Sequence, residues 1–237
     1  MVEPISPRLG ATPATVRTMT PEDVAVVAHL HVAHFPRNVA VRFGSRFVEA
    51  YVRLFLDSPF AVGLVATERE HVVGYLLGVS STTEHRAFSK RRLTGLSVAA
   101  LPQVIPNLTF LVKVATRRVR NRRSHDDSGP ASPGPIAVLS HIAVLEEARS
   151  CGTGATLVRN FEDAAVSRGA RTAFLATVDC EDGAGDFYDR QGWVASSRGT
   201  TVDQRSLRIF KKTFSSSSSP TATPIGPKPR LTDAVER

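Results

Sequence analysis

The sequence of 237 residues predicts a mixed α/β (α+β) domain, and three observations lead to this prediction. Stretches in which apolar residues recur at helical spacing alternate with short stretches rich in β-branched residues. Residues that cap helices or form turns lie at the ends of these stretches. Apolar residues make up 42% of the chain, which is ordinary for a globular protein. The predicted order is β, α, α, β, β, an insertion, and then β, α, β, α, β, β.

The first half of the chain predicts a strand, two helices and a hairpin. A strand is expected from Thr15 to Met19. The helix after it begins at Thr20, a capping residue followed by Pro21, and runs to about His34. The other elements predicted here are a helix over residues 44–56 and two strands over residues 61–67 and 72–79.

The second half predicts two strand–helix pairs and a closing hairpin. A strand over Ile136–Val144 leads to a helix over Thr153–Arg168, which Gly169 ends as a C-terminal cap. The remaining elements are a strand over residues 170–178, a short helix over 183–191, and strands over 193–197 and 202–210 that turn around Gly199.

Composition divides the chain into a domain and two tails. The domain is predicted over residues 14–213, with a helical basic insertion over residues 81–135. The tails are a mobile N-terminus over residues 1–13 and a disordered segment over residues 214–237, which holds five consecutive serines and several prolines. Such segments have too little apolar surface to fold alone.

The insertion combines an uncharged run over residues 93–112 with basic flanks, and residues 86–123 contain no acidic residue. Pro102 and Pro106 interrupt the run, which argues against a membrane span and favours two helices. Three interpretations stay open: a cap over an acceptor site, an oligomer contact such as a homodimer interface, and a helix on an anionic membrane surface. Nucleic acid is disfavoured as a partner because few aromatic residues alternate with the arginines.

Charge and cysteine content bound the compartment and the partners. The formal net charge of +8 suits anionic small molecules or an anionic surface. Cys151 and Cys180 do not indicate a disulfide framework and fit a reducing cytoplasm. The N-terminus has no apolar core of a secretory signal, so a cytoplasmic location is expected, peripheral to the membrane if the insertion binds one. The seven histidines do not cluster with cysteines or carboxylates, so no metal is predicted.

The most informative stretch runs from Ile142 to Ala155 and joins an apolar strand to a glycine-rich helix start, Arg149-Ser-Cys-Gly-Thr-Gly154. The first N–H groups of a helix lack intrahelical partners and favour an anion, and glycine lets a ligand approach the backbone. Leu157 stands where a dinucleotide-binding fingerprint needs glycine, and no Gly-Lys-Ser/Thr triplet forms a Walker A loop. The stretch therefore predicts a pyrophosphate-binding turn of another type.

A second motif, Ala184-Gly-Asp-Phe-Tyr-Asp-Arg-Gln-Gly-Trp193, lies downstream. The two motifs, in this order, resemble the signatures of the GNAT superfamily of N-acetyltransferases. The resemblance covers residues 14–212 apart from the insertion. It implies the acyl-CoA N-acyltransferase fold, a mixed, twisted central sheet flanked by helices, with acetyl-CoA as cosubstrate. Glu181 replaces an asparagine that commonly contacts the cofactor arm in the family.

The resemblance implies that the strand end and the turn bind acetyl-CoA. Backbone N–H groups of Ile142 and Val144 would face the acyl carbonyl and stabilise its oxyanion. Cys151 would contribute a backbone N–H, without a covalent acyl intermediate. The implied cofactor-binding residues are Ile142, Ala143, Val144, Arg149, Ser150, Cys151, Gly152, Thr153, Gly154 and Ala155.

Tyr188 is the general acid that the resemblance implies, since the family often places a tyrosine near the CoA sulfur. His141 is the predicted base, although strand alternation predicts that its side chain points away from the face of Val138 and Ser140. The alternative bases are His31, His34, Glu84 and His85.

The predicted function is direct transfer of an acetyl group from acetyl-CoA to a primary amine of a small molecule, with an amino sugar as one candidate. His34, Phe35 and Glu84 are the predicted acceptor contacts. An alternative stays open: a catalytically degenerate acyl-CoA-binding or membrane-surface regulatory module. Glu181 and the absence of an evident base favour that alternative.

Overall fold

The computed structural model describes residues 14–38, 40–92, 134–180, 183–201 and 204–214. The predictions made for the two tails, for most of the insertion and for Glu181 therefore lie outside the described residues. No helix within the described ranges is long and apolar enough to cross a membrane.

The described residues form strands and helices in the predicted order. The strands are β1 (Thr15–Thr18), β2 (Ala61–Glu68), β3 (His71–Val79), β4 (Ile136–Val144), β5 (Thr172–Val178), β6 (Val194–Thr200) and β7 (Ser206–Thr213). The helices are α1 (Val24–His34), α2 (Ser45–Asp57), α3 (residues 82–92), α4 (Thr153–Ser167) and α5 (Gly185–Arg190). Short 3₁₀ turns lie at Pro21–Asp23, Ala40–Phe43 and Glu146–Ala148.

The strands form one mixed sheet, which confirms the predicted fold class. Among the described residues its order is β1-β2-β3-β4-β5-β7-β6. The β4–β5 pair is parallel, and the other neighbouring pairs are antiparallel. The helix α4 connects β4 to β5, as a parallel pair requires a long crossover.

Helices cover both faces of the sheet, which explains the unbroken apolar runs of β2 and β3. The helix α4 packs on one face, where Phe161 lies against Gly78 so closely that any side chain there would collide with its ring. The helices α1 and α2 pack on the other face, where Val27 and Val52 meet Tyr75. A strand that is buried on both faces has no reason to alternate polar and apolar residues.

The ends of α4 match their sequence signals. Gly169 has a φ of 84°, and its N–H donates to the carbonyl of Val166. The N–H of Ala170 donates to the carbonyl of Ala165, which completes a Schellman motif. The prediction of Gly169 as the cap is confirmed, and β5 begins two residues later than predicted because Ala170 belongs to this motif.

The closing hairpin turns later than predicted. Gly199 lies inside β6, paired with Leu207, and the turn falls between Thr201 and Arg205. The N–H of Arg205 donates to Oγ1 of Thr201 at 2.9 Å, and the N–H of Thr201 donates to the carbonyl of Arg205 at 2.8 Å. These bonds close the turn without a glycine, so Gly199 was a misleading signal.

A histidine side chain is fully buried in the layer beneath α1. His31 is 0% exposed, and its Nδ1 lies 2.9 Å from the hydroxyl of Tyr75. Its Nε2 has no hydrogen-bond partner in the described part of the chain. Burial lowers the pKa of His31 to about 4, and the nearby Asn38 side chain offsets part of that shift. The folded protein therefore holds this imidazole in its neutral form.

Acid should destabilise the fold through His31. Below about pH 6.5 the unfolded chain binds a proton at this residue, whereas the folded chain does so only near pH 4. Full stability is therefore expected above pH 6.5, with a loss of up to about 1.4 kcal/mol per pH unit between these values. The measurement is the free energy of urea unfolding from pH 7.5 to pH 4.5.

A variant pair isolates the contribution of this imidazole. His31→Gln should show a shallower loss of stability below pH 6.5 than the wild type, because it removes the proton that only the unfolded chain binds. His29→Gln changes an exposed histidine of the same helix and should keep the wild-type slope. Parallel slopes for His31→Gln and the wild type would contradict the prediction.

Candidate active site

The parallel strands β4 and β5 part halfway along their length. They pair from Ile136 with Thr172 to Leu139 with Leu175, and no further pair joins them among the described residues. Beyond that point β4 stays paired with β3, and β5 stays paired with β7. One side of β4 is thus left open at the centre of the sheet.

The opening holds a cleft of about 770 Å³. The C-terminal parts of β4 and β5 form its floor, the segment after α1 forms one wall, and Tyr188 of α5 and the β6–β7 turn form another. Predicted site residues that line it are His34, Phe35, His141, Ile142 and Tyr188. The fold therefore brings together predicted site residues from three parts of the chain.

Backbone groups of β4 point into this opening. The N–H of Leu145 donates to the carbonyl of Val73 on β3. Because successive residues of an antiparallel strand direct their N–H groups to opposite sides, those of Ile142 and Val144 point away from β3 and toward the opening. These are the two donors that the motif implied for an oxyanion.

A β-bulge decides where His141 points. In the β3–β4 ladder Leu77 pairs with His141 and Gly78 pairs with Leu139, so Ser140 is an extra residue. An extra residue shifts the alternation of a strand by one position. The prediction that His141 faces away from the side of Val138 is therefore wrong. Its side chain lies on the face covered by α1 and α2.

His141 belongs to a cluster of aromatic and imidazole rings on that face. Its Nε2 lies 2.8 Å from the hydroxyl of Tyr51, and its ring meets the ring of His31 edge-on at 4.7 Å between centroids. Burial, with a smaller contribution from His31, lowers the pKa of His141 to about 3. Burial also raises the pKa of Tyr51, so that phenol keeps its proton. Sequence reasoning missed Tyr51, because nothing local marks it.

Of the other predicted bases and acceptor contacts, the structure places some in the cleft lining and others outside it. His34 and Phe35 line the cleft, and Nδ1 of His34 lies 2.9 Å from the carbonyl of Leu30. His31 is buried behind them and does not line the cleft. Glu84 is exposed on α3 and also lies outside the lining. His85 packs against Phe55 and bonds to Ser58 instead.

The glycine-rich turn has the geometry of an anion-binding loop. Ser150 and Gly152 have φ values of 66° and 78°, in the left-handed region. Hydrogen bonding into α4 begins only with the N–H of Thr156, which donates to the carbonyl of Gly152. The preceding N–H groups at this helix start have no intrahelical acceptor and favour an anion. Thr153 is 3% exposed, and its hydroxyl has no partner among the described residues.

Two side chains fix this turn to the strand and to α5. Nε of Arg149 donates to the carbonyl of Val144 at 3.1 Å, which ties the turn to the end of β4. Gly154 lies beneath the ring of Phe187, where an added Cβ would be 3.4 Å from the ring. Open space surrounds the Cβ direction of Gly152. Of the two glycines, Gly152 is the one that leaves room for a ligand.

Tyr188 is held by aromatic packing. It is 5% exposed, and its ring lies beside those of Phe187, Trp193 and Phe210. Burial raises its pKa to about 12. A thiol has an ordinary pKa near 8.5, so this phenol holds its proton more tightly than a departing thiolate would. The arrangement suits hydrogen-bond donation to a thiolate sulfur better than complete proton transfer.

The cysteines and histidines form no further chemical site in the described ranges. Cys151 and Cys180 are exposed. No group of three histidine, cysteine or carboxylate side chains within the described residues could hold a metal ion.

Comparison with known proteins gives one family and many structures. The acetyltransferase (GNAT) family matches residues 108–193. No curated protein sequence matches the chain. Similar structures include Ard1 from Thermoplasma volcanium, at 14% identity and a TM-score of 0.52, covering 85% of this chain and 98% of that one.

Two further similar structures are complexes with ligands. An aminoglycoside 6'-N-acetyltransferase complexed with coenzyme A has 12% identity and a TM-score of 0.54, covering 84% of this chain and 96% of that one. Arabidopsis thaliana NAA60 in complex with a bisubstrate analogue has 13% identity and a TM-score of 0.55, with 85% and 99% covered. Identities this low show a shared fold. The family match covers residues 108–193, which contain both motifs, so this part of the chain is similar to the acetyltransferase (GNAT) family.

Proposed function

We propose that this chain transfers an acetyl group directly from acetyl-CoA to the primary amine of a small molecule, with amino sugars among the candidate acceptors. The observation that carries the proposal is the opening between β4 and β5, into which two β4 N–H groups point. The glycine-rich turn follows β4 in the chain, and the Tyr188 side chain lines the opening. This arrangement supplies what thioester aminolysis needs apart from the base.

Each part of the proposed site has its own task in the reaction. The turn from Arg149 to Gly154 binds the pyrophosphate of acetyl-CoA through N–H groups at the start of α4. The N–H groups of Ile142 and Val144 stabilise the oxyanion, an effect typically worth about 3 kcal/mol per donor in the transition state. The Tyr188 hydroxyl donates to the thiolate as the C–S bond breaks. The amine attacks from the side of α1 and α2, where His34 and Phe35 line the cleft.

An acceptor screen with the full chain tests the proposal. Release of free CoA from acetyl-CoA would be measured with glucosamine, glucosamine 6-phosphate, ethanolamine, spermidine and a tripeptide with a free amino terminus. Amine-dependent release is expected with at least one small-molecule amine. Binding of acetyl-CoA without any amine-dependent release would favour the alternative of a degenerate acyl-CoA-binding module. Absence of binding at micromolar acetyl-CoA would exclude both.

Gly152→Ala should weaken binding of desulfo-CoA about tenfold, because a Cβ is strained at positive φ and intrudes on the ligand side of the turn. Gly169→Ala is the matched control, since it has a similar φ at the other end of the same helix and open space around it. Both variants should lose roughly 1 kcal/mol of stability. Isothermal titration would show weaker binding for Gly152→Ala alone; equal affinities would count against the proposed loop.

Tyr188→Phe should lower turnover roughly a hundredfold, because the departing thiolate loses its hydrogen-bond donor. The affinity for desulfo-CoA, which lacks the sulfur, should stay within about twofold of the wild-type value. Tyr75→Phe is the control, because it also removes a buried phenol hydroxyl but does not line the cleft. Wild-type turnover in Tyr188→Phe would remove Tyr188 from this role.

A further inference from the structure

Two histidines line the cleft, and a hydrogen bond determines the tautomer of each. His34 ends α1, and its Nδ1 lies 2.9 Å from the carbonyl oxygen of Leu30, one turn earlier. A carbonyl oxygen only accepts, so Nδ1 of the neutral ring must carry the hydrogen. The other nitrogen, Nε2, then holds a lone pair and has no partner among the described residues.

The bond that determines the tautomer of His141 comes from a phenol. Nε2 of His141 lies 2.8 Å from the Tyr51 hydroxyl, and Tyr51 makes no other hydrogen bond within the described ranges. Because burial keeps this phenol protonated, its O–H donates to Nε2. The neutral imidazole therefore carries its own hydrogen on Nδ1, which has no partner among the described residues, and His141 is one of the residues that line the cleft.

The two rings thus have the same tautomer, but opposite nitrogens are left without a partner among the described residues: Nε2 with its lone pair in His34, and Nδ1 with its hydrogen in His141. We propose, resting on the function proposed above, that Nε2 of His34 is the general base for the acceptor amine. His141, held by Tyr51 as a positioning residue, is a neutral hydrogen-bond donor to an oxygen of the acceptor. This reverses the assignment of His141 as the base.

With these roles, every proton and every bond of the acetyl transfer is accounted for. The acceptor ammonium gives one proton to Nε2 of His34, and the neutral amine attacks the thioester carbon. The C–N bond forms and the C–S bond breaks, and the second amine proton ends on the thiolate sulfur. His34 is partly exposed and passes its proton to water. His141 would be a poor base here, because burial and the neighbouring His31 make its charged form costly.

The N–H of His141 selects a chemical class of acceptor. An amine that carries a hydroxyl, carbonyl or carboxylate oxygen near its nitrogen satisfies both imidazoles, whereas a simple alkylamine leaves one donor unpaired. An unpaired buried donor costs affinity. The other charged and titratable groups that line the cleft are Arg37 and Arg42 after α1, Cys180 after β5, Tyr188 of α5 and Arg205 of the β6–β7 turn.

Tautomers can be measured without any acceptor. Long-range proton–nitrogen correlation spectra of the full ¹⁵N-histidine-labelled chain distinguish Nδ1–H from Nε2–H rings, with His34→Gln and His141→Gln used for assignment. Both rings should show the Nδ1–H pattern at pH 7.5. In Tyr51→Phe, His141 alone should shift toward Nε2–H. An Nε2–H pattern for either ring in the wild type, or no shift in Tyr51→Phe, would overturn the proposal.

Kinetics with the best amine of the acceptor screen test the roles. His34→Gln should lower kcat/KM about a hundredfold at pH 7 and approach the wild-type value as rising pH deprotonates the free amine. His29→Gln, on the exposed side of the same helix, is the control and should keep wild-type kinetics. Equal loss in His34→Gln at every pH, or no loss, would overturn the base assignment.

Tyr51→Phe separates positioning from proton transfer. It should raise KM for an oxygen-bearing amine about tenfold with kcat nearly unchanged, and Tyr75→Phe should not. A fall in kcat with a shifted pH profile would instead return the base role to His141. A wild-type chain that binds acetyl-CoA but acetylates no amine would overturn the proposed function, and the tautomer spectra would still test the geometry.

Discussion

The parting of β4 from β5 is the constraint on which the rest of the site depends. Each strand keeps a full ladder on its other side, β4 with β3 and β5 with β7, so the sheet loses only one row of hydrogen bonds. The groups released by this loss are backbone donors at the centre of the molecule. They point into a cleft, where a ligand can satisfy them, which is how a buried polar group avoids its usual cost.

The helix α4 links this opening to the remainder of the fold. Its start forms the anion-binding turn, and its middle anchors it, since Phe161 packs directly against Gly78 of β3. Left-handed glycines stand at both of its ends, Gly152 and Gly169, but they do different work. The second satisfies the carbonyls that end the helix, whereas the first leaves the N–H groups of its start available to an anion.

The sheet face under α1 and α2 contains polar rings that make the fold less stable than an apolar layer would. His31, Tyr51, Tyr75 and His141 place two imidazoles and two phenols in a layer that apolar side chains could fill. Burial keeps both imidazoles neutral, which makes the fold sensitive to acid. In return the phenol of Tyr51 determines which nitrogen of His141 carries hydrogen. A ring whose tautomer is fixed offers one defined hydrogen-bond donor.

The fold class, the order of elements and the glycine turn could be predicted, because each depends on residues close together in the chain. The spacing of apolar residues, the cap at Gly169 and the Arg149–Gly154 turn report contacts within one or two turns of backbone. The wrong prediction of a turn at Gly199 also came from residues close together in the chain. There, side-chain bonds of Thr201 replaced the glycine that local chemistry would suggest.

The direction of His141 and its role were decided only by the tertiary structure. The bulge at Ser140 belongs to the pairing of β4 with β3, and it turns the next side chain to the opposite face. Tyr51 lies 90 residues away in the chain and meets His141 only across the packed layer. The sequence alone determined the order of the strands and helices, the glycine-rich turn and the position of Tyr188 after it. The tautomer of His141 depends on that hydrogen bond between distant elements, and no local pattern encodes it.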